Sequence, residues 1–282
     1  MKLEGAGRQI NLDNGTGQIE KGIITDDIRL PCCELSITFD SPNKLTFSND
    51  NQCYFTYKEM DWIPVILNEG FTNHNTWHYN IIAHPKQAFQ LITKPTINTM
   101  SLARSMNLNL TQESVSLPLR CPIINYYSAP LIQEYRRQYF NIAYNNGRMG
   151  DAYFIYFDSQ NMYSVTWKQL VSQKALSLEN YEIVQGQNIV TFIDDQINEY
   201  FDSNYGANVL TQKDYFKRIL GKKIKICTTT PGYFARMYTI RFTDTDALDQ
   251  ESSFLCVRSE CNINEGAGFI NTFAEVNYIN GE

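Results

Sequence analysis

The sequence predicts an α+β protein in which two antiparallel, barrel-like β-domains flank a helix–hairpin–helix segment. Three observations lead there. Short apolar–polar alternations recur from about Leu35 and again after Lys223, separated by turn-forming residues. The middle of the chain instead places apolar residues at helical spacing. Finally, 18 Tyr and 16 Phe among 282 residues favour strands and protein interfaces. On this reading residues 1 to 30 are an extended N-terminal arm and 31 to 120 a first β-domain; 121 to 221 form the helical and hairpin middle, and 222 to 282 a second β-domain.

The arm is rich in Gly, Asn and Asp and poor in large apolar groups, so it is expected to order against a neighbouring subunit. Leu35-Ser36-Ile37-Thr38-Phe39 alternates as a half-buried strand does, and Asp40-Ser41-Pro42-Asn43 turns the chain. Leu45 to Phe47, Cys53 to Tyr57, Trp62 to Leu67 and His78 to Ile82 follow as further strands. Residues 85 to 125 are interrupted by Pro95, Pro118 and Pro122, with a short helix at Ser101 to Met106.

In the middle, Leu131, Ile132, Tyr135, Tyr139, Ile142 and Ala143 share one helical face. Ser128 is placed to cap that helix, Pro130 suits its first turn, and Gly147 ends it. Ala152 to Phe157 and Met162 to Thr166 form a hairpin across the turn Asp158-Ser159-Gln160-Asn161, and a short helix starts at Trp167. Ile189, Phe192, Ile193, Ile197, Tyr200 and Phe201 predict another helix. One more runs from about Gln212 to Leu220, with Thr211 and Asp214 as a capping pair and Gly221 as its stop. Lys223 to Thr228, Phe234 to Thr243, Ser253 to Arg258 and Phe269 to Tyr278 read as closing strands.

Composition narrows the function. The charged fraction is low, 19%, and the polar balance falls to Asn, Gln, Ser and Thr, which suits a subunit that buries much of its outside. A net charge of −6 speaks against general nucleic-acid binding, and the basic runs Arg136-Arg137 and Lys222 to Lys225 read as solvated faces. The first residues carry no apolar signal region and no run is long enough to span a membrane, which predicts a soluble protein made in a cytoplasm, without membrane insertion. Seven Cys at positions 32, 33, 53, 121, 227, 256 and 261 form no disulfide framework and are expected to be mostly reduced and buried.

Candidate chemistry is sparse. His74 and His78 are four apart, a spacing that shares a metal only on a helix, and the segment reads as a polar loop before a strand; His84 is the remaining His. Asp244, Asp246, Asp249 and Glu251 lack the glycine of a calcium loop and read as a hairpin loop. Gly15-Thr16-Gly17 with Lys21 does not match a phosphate loop. Trp62, Trp77 and Tyr79 are of a type that stacks on sugars, although core or interface packing is the more common use. No catalytic, cofactor-binding or metal-ligating residue is therefore assigned, no cofactor is expected, and the chain is not expected to be an enzyme.

The stretch Ser128-Ala129-Pro130-Leu131-Ile132-Gln133-Glu134-Tyr135, then Asp151 to Asp158, then Thr166-Trp167-Lys168-Gln169-Leu170, resembles the central unit of bacteriophage baseplate hub proteins. That family includes the hub of T-even phages, the late-control proteins and the VgrG spike proteins. In it, a helix leads into a two-stranded hairpin between two β-barrel-like tube domains. The order of elements on either side here is the same, but the chain is shorter than the T-even hub, and the helical stretch from Asn188 to Leu220 departs from the family pattern. The resemblance implies a virion tail protein assembled in the host cytoplasm. It further implies a homotrimeric ring whose two tube domains per chain match a sixfold tail tube to a threefold spike. Its partners would then be copies of itself, the tube protein, the spike, other baseplate proteins and the tape measure. The rival readings are a sixfold adaptor or distal tail protein, a carbohydrate-binding adhesin domain using Trp62 or Trp77, and a metal hydrolase built on His74, His78 and an acidic partner.

Overall fold

The computed structural model describes residues 2–5, 8–11, 19–28, 30, 32–44, 54–57, 60–72, 74–86, 96–111, 114, 116, 118–120, 153–158, 160–178, 181–183, 220–228, 234–240, 252–263 and 269–276. They are mostly β-sheet. The strands of the first half are β1 (Lys2–Gly5), β2 (Arg8–Asn11), β3 (Ile19–Asp27), β4 (Glu34–Ser41), β5 (Tyr54–Tyr57), β6 (Met60–Phe71) and β7 (Trp77–Pro85). Then come β8 (Thr96–Asn98), helix α1 (Thr99–Ser105), β9 (Asn109–Leu110), β10 (Pro118–Arg120), the hairpin β11 (Tyr153–Phe157) and β12 (Asn161–Thr166), and helix α2 (Trp167–Val171). The last part holds β13 (Leu176–Ser177), β14 (Tyr181–Ile183), β15 (Leu220–Thr228), β16 (Met237–Ile240), β17 (Ser252–Asn262) and β18 (Phe269–Val276).

Thirteen strands share one sheet, along the path β14-β15-β18-β17-β3-β4-β7-β6-β5-β1-β2, with β16 beside β17 and β13 beside β16. Most neighbours are antiparallel, but β13 with β16, and β12 with β9 in a separate three-stranded sheet, are parallel. The first half is a run of hairpin-like neighbours, β3 to β4 to β7 to β6. Strand β4 shows why it forms. Its side chains alternate between half-buried and buried, and Leu35, Ile37 and Phe39 point into a core with Trp62, Tyr79, Ile81 and Ala83. Phe39 stacks on Tyr79 with ring centroids 5.2 Å apart. Each such side chain contributes about 1.5–3 kcal/mol through burial. The second half is covered on two faces. Ile226, Tyr238, Ile240, Phe254, Cys256 and Phe273 pack on one side. On the other, Leu255, Val257 and Ala274 pack under Phe154, Tyr156, Trp167 and Leu170 of the hairpin and α2.

Strand β17 connects the halves by changing partner along one edge. Its first part, Ser252 to Leu255, pairs with β16, and Arg258 to Asn262 pair with β3. At the join, the Ala235 N–H donates to the Cys256 carbonyl and the Ile28 N–H donates to the Val257 carbonyl, both at 3.0 Å. An irregularity against β18 falls at the same place, between Cys256 and Arg258. Such a bulge is where a strand can bend and swap ladders.

Several expectations change. The arm reading of residues 1 to 30 is corrected for Ile19–Asp27: this stretch is an interior strand, β3, held on both edges by β4 and β17. Its buried positions include Gly22, Thr25 and Asp27, which carry no hydrophobic alternation to read. Closure into barrels is not seen among the described residues: the second-half strands run from β14 to β13 without joining, and β17 continues the sheet into the first half through β3. The hairpin at 153 to 166 and the helix at Trp167 form as expected, as does a helix near Ser101. The helices expected at 128 to 147, 189 to 201 and most of 212 to 220 lie outside the described residues. Leu220 and Gly221 belong to β15, so Gly221 is not a helix stop; it sits where the pairing with β18 shifts, between Leu220 and Lys223, a place where glycine is common in strands. Lys223 is buried, so at this position the basic run is not the solvated face it was expected to be.

Candidate functional site

The seam between β3 and β17 is the place where both halves and the central hairpin meet. Arg258 faces Asp27 across the ladder. Its Nη1 lies 3.6 Å from Asp27 Oδ2, and its Nη2 donates to Glu260 Oε1 at 2.9 Å. Burial alone would lower the Arg258 guanidinium, but Asp27 first and then Glu260 outweigh it and hold the group more firmly protonated than usual. The Asp27 side chain is almost wholly enclosed. A charge there needs its partner, because an unpaired buried carboxylate is costly.

The hairpin straddles this seam. Asp158 shapes its turn by accepting from the Gln160 and Asn161 N–H groups at 2.7 and 2.6 Å. Tyr156 hydroxyl donates to Asp26 Oδ1 at 2.7 Å, and Cys33 N–H donates to the Phe157 carbonyl at 3.1 Å. Phe154, Tyr156, Tyr163 and Phe234 form an aromatic group, with Tyr156 and Phe234 centroids 4.8 Å apart. Burial pushes the Cys33 thiol well up, reinforced by Asp26, Cys32 and Asp158; burial and then Asp26 do the same to Tyr156. Both groups are therefore neutral in ordinary conditions, and Cys33 is not a nucleophile.

A cleft of about 470 Å³ opens where β3 and β16 part on β17. Of its lining residues, Cys33, Trp62, Phe234 and Ser259 are buried. Asp26, Asp158, Asn161, Tyr163, Arg236 and Phe269 are half-buried and Gln160 is exposed.

The sequence candidates are dispersed. His74 lies in the β6–β7 loop and His78 on β7, where its Nδ1 donates to Asp40 Oδ1 at 2.7 Å. The loop is closed by hydroxyls, Thr72 Oγ1 and Thr76 Oγ1 lying 2.6 Å apart, so the polar-loop reading describes it. Trp62 and Tyr79 are core residues, and Trp77 is half-buried against Phe71, ring centroids 5.2 Å apart, with Lys44 Nζ 4.6 Å from its ring. They do not form a common groove. Lys21 is exposed on β3; Gly15 to Gly17 and Asp244 to Glu251 lie outside the described residues. Cys32, Cys33, Cys227, Cys256 and Cys261 are all thiols. Among the described residues, no three His, Cys, Asp or Glu side chains gather as metal ligands would, and no helix is long and apolar enough to cross a membrane.

One constellation was not read from the sequence. Cys32 Sγ lies 3.8 Å from His84 Nδ1, and His84 Nε2 lies 3.7 Å from Glu34 Oε2. Thiol, imidazole and carboxylate stand in the order of a nucleophilic triad. Cys32 and His84 are both completely enclosed, so no substrate reaches the sulfur. The only sequence cue was a His beside Pro85 at a strand end, which has no specific meaning.

No family model matches the chain, and no curated protein matches it. Among solved structures, it is similar to the 43 kDa tail protein of prophage MuSo2 from Shewanella oneidensis, at 8% identity over 97% of each chain and a TM-score of 0.48. It is similar to a tail protein from Neisseria meningitidis MC58, at 10% identity over 97% of this chain and 95% of that one, TM-score 0.47. It is also similar to the E. coli c3393 protein, at 9% identity, covering 100% of this chain and 79% of that one, TM-score 0.48. The c3393 protein is described as a component of the type VI secretion system with structural similarity to the T4 tail proteins gp27 and gp5.

Proposed function

We propose that this chain is a non-catalytic structural protein of a phage-type tail, acting as a baseplate hub. The observation that carries the reading is the seam. Strands from the two ends of the chain form two β-regions, joined edge to edge through β3 and β17 and straddled by the central hairpin. Two β-regions in one chain, one on each side of a hairpin unit, are what the resemblance at residues 128 to 173 leads one to expect of a hub. The division of the chain near residues 121 and 221 is part of this proposal, as is an N-terminal segment that contacts a neighbour.

In a hub, the two β-regions alternate around a channel in a homotrimer, giving six similar positions toward the tail tube and three toward the spike. Heterologous contacts of this kind end without forming filaments only in a closed ring. Tube protein, spike, neighbouring baseplate proteins and tape measure are the partners, and the location is the virion tail. The adhesin reading loses ground because Trp62 is a core residue and Trp77 is packed against Phe71 with Lys44 over its ring, and the metal-hydrolase reading because His74 and His78 serve different elements.

The test is the symmetry of the chain in its native particle, read by cryo-electron microscopy. Threefold placement with both β-regions toward the channel is the expected result, with contacts of at least ~1,000 Å². Sixfold placement moves the chain to an adaptor or distal tail protein, and a monomer outside any ring defeats both.

A further inference from the structure

We propose that the outer edge of β6, from Ile66 to Phe71, takes up an extended segment of a partner protein as an added strand. The first ground is a vacant place in the sheet. On one side β6 pairs with β7 as far as Phe71 opposite Trp77; on the other, β5 reaches only Met60 to Trp62. Beyond β5 no strand lies beside β6 among the described residues. Pro64 removes a donor, and the ladder to β7 shifts between Pro64 and Ile66, which divides the paired part of the edge from the open part. The open part, Ile66 to Phe71, is about 20 Å long. The hairpin end fixes which backbone groups it offers. The Thr72 N–H donates to the Thr76 carbonyl at 2.8 Å, and bonded and non-bonded pairs alternate along an antiparallel ladder. Gly70 and Asn68 are therefore bonded to β7, opposite His78 and Asn80, and the N–H and C=O groups of Leu67, Glu69 and Phe71 turn to the open edge.

The second ground is the character of that edge. Leu67 to Phe71 are exposed without interruption, and the apolar side chains of Leu67 and Phe71 are 36% and 61% exposed. Past Ile66 there is no proline and no bulge to blunt it, and its one charge, Glu69, is held by Lys44 at 2.9 Å. On the other face, nothing lies within 4 Å of where a Cβ on Gly70 would stand. Edges of this kind bind extended chains, the main chain supplying affinity and alternate side chains supplying choice. Leu67, Glu69 and Phe71 share one face, so the fitting segment is apolar opposite Leu67 and Phe71 and non-acidic opposite Glu69. The same charge decides against a second copy. Setting this edge antiparallel to itself, with Leu67 opposite Phe71, places Glu69 opposite Glu69, and like charges directly opposite are destabilising.

The test is amide hydrogen exchange on the full-length chain, read residue by residue by NMR. In the free chain, the Leu67, Glu69 and Phe71 amides should exchange roughly tenfold or more faster than those of Asn68 and Gly70. The probe is the blocked heptapeptide acetyl-Thr-Val-Thr-Gln-Thr-Val-Thr-amide at about 1 mM. It should slow those three amides about tenfold and leave Asn68 and Gly70 as they were. The same peptide methylated on its Val and Gln nitrogens cannot donate to the edge and should protect nothing. Glu in place of the Gln should protect about threefold less. The variant L67P removes only an outward N–H, so it should keep its thermal unfolding temperature and lose the protection at Glu69 and Phe71. Slow exchange of all three amides in the free chain, no protection by the first peptide, or equal protection by the methylated one overturns the proposal. Equal protection by the Glu peptide overturns the partner chemistry assigned to it. The peptide comparisons on the unaltered chain decide the matter even if L67P fails to fold. Their outcome is independent of ring symmetry.

Discussion

At the scale of single residues, the enclosed thiols and the enclosed tyrosine make stability depend on alkali. Cys33, Cys256 and Tyr156 are all held neutral in the fold, chiefly by burial. Their unfolded values are about 8.5 for Cys and about 10 for Tyr. A raised folded value means that the folded state keeps its proton where the unfolded chain has lost it. The stabilisation is therefore complete below the unfolded value and is lost as pH rises through the folded one. We expect these groups to add nothing to the pH dependence between pH 6 and 8, and stability in urea to fall from about pH 9 upward. The double variant C33A/C256A should flatten the first part of that fall. An unchanged alkaline limb in that variant would show that other groups set it.

At the scale of elements, helix α2 is short enough that its start decides whether it forms. Thr166 Oγ1 accepts from the Gln169 N–H at 3.1 Å, and Gln169 Oε1 accepts from the Thr166 N–H at 2.9 Å, a reciprocal cap. T166A should cost about 1 kcal/mol in chemical denaturation, and T166S much less. The helix start at Trp167 was read from the sequence; its cap was not, although its partners are only three residues apart. Also read were β4, from the alternation Leu35 to Phe39, and the hairpin β11–β12, from its Asp158 turn. Strand β3 was not legible, because its enclosed Asp27 makes sense only once Arg258, at the other end of the chain, is beside it. Gly221 was misread for a related reason: a glycine after an apolar run suits a helix end and a strand irregularity equally, and only the pairing with β18 distinguishes them. The cleft was legible in none of its parts, since Asp26, Asp158 and Arg236 are neighbours only in space.

At the scale of the molecule, the seam is held by the β3–β17 ladder, by the paired charge of Asp27 and Arg258 within it, and by the hairpin laid across it. R258A leaves Asp27 enclosed without that partner, and we expect it to cost about 3 kcal/mol in urea unfolding. The apolar double variant D27L/R258M should recover a good part of that loss, because it removes the enclosed Asp27 charge, while Glu260, which also loses its Arg258 contact, keeps some access to solvent. A double variant as unstable as R258A would assign the effect to packing instead. Strand β17 also carries a constraint on descent. One stretch of backbone is counted twice, once against β16 and once against β3. A residue gained or lost between Cys256 and Arg258 would slide one count against the other and turn every later side chain in the strand to the opposite face. Related chains are thus free to change the length of the loops around this strand, while the spelling across Val257 must keep its number of letters.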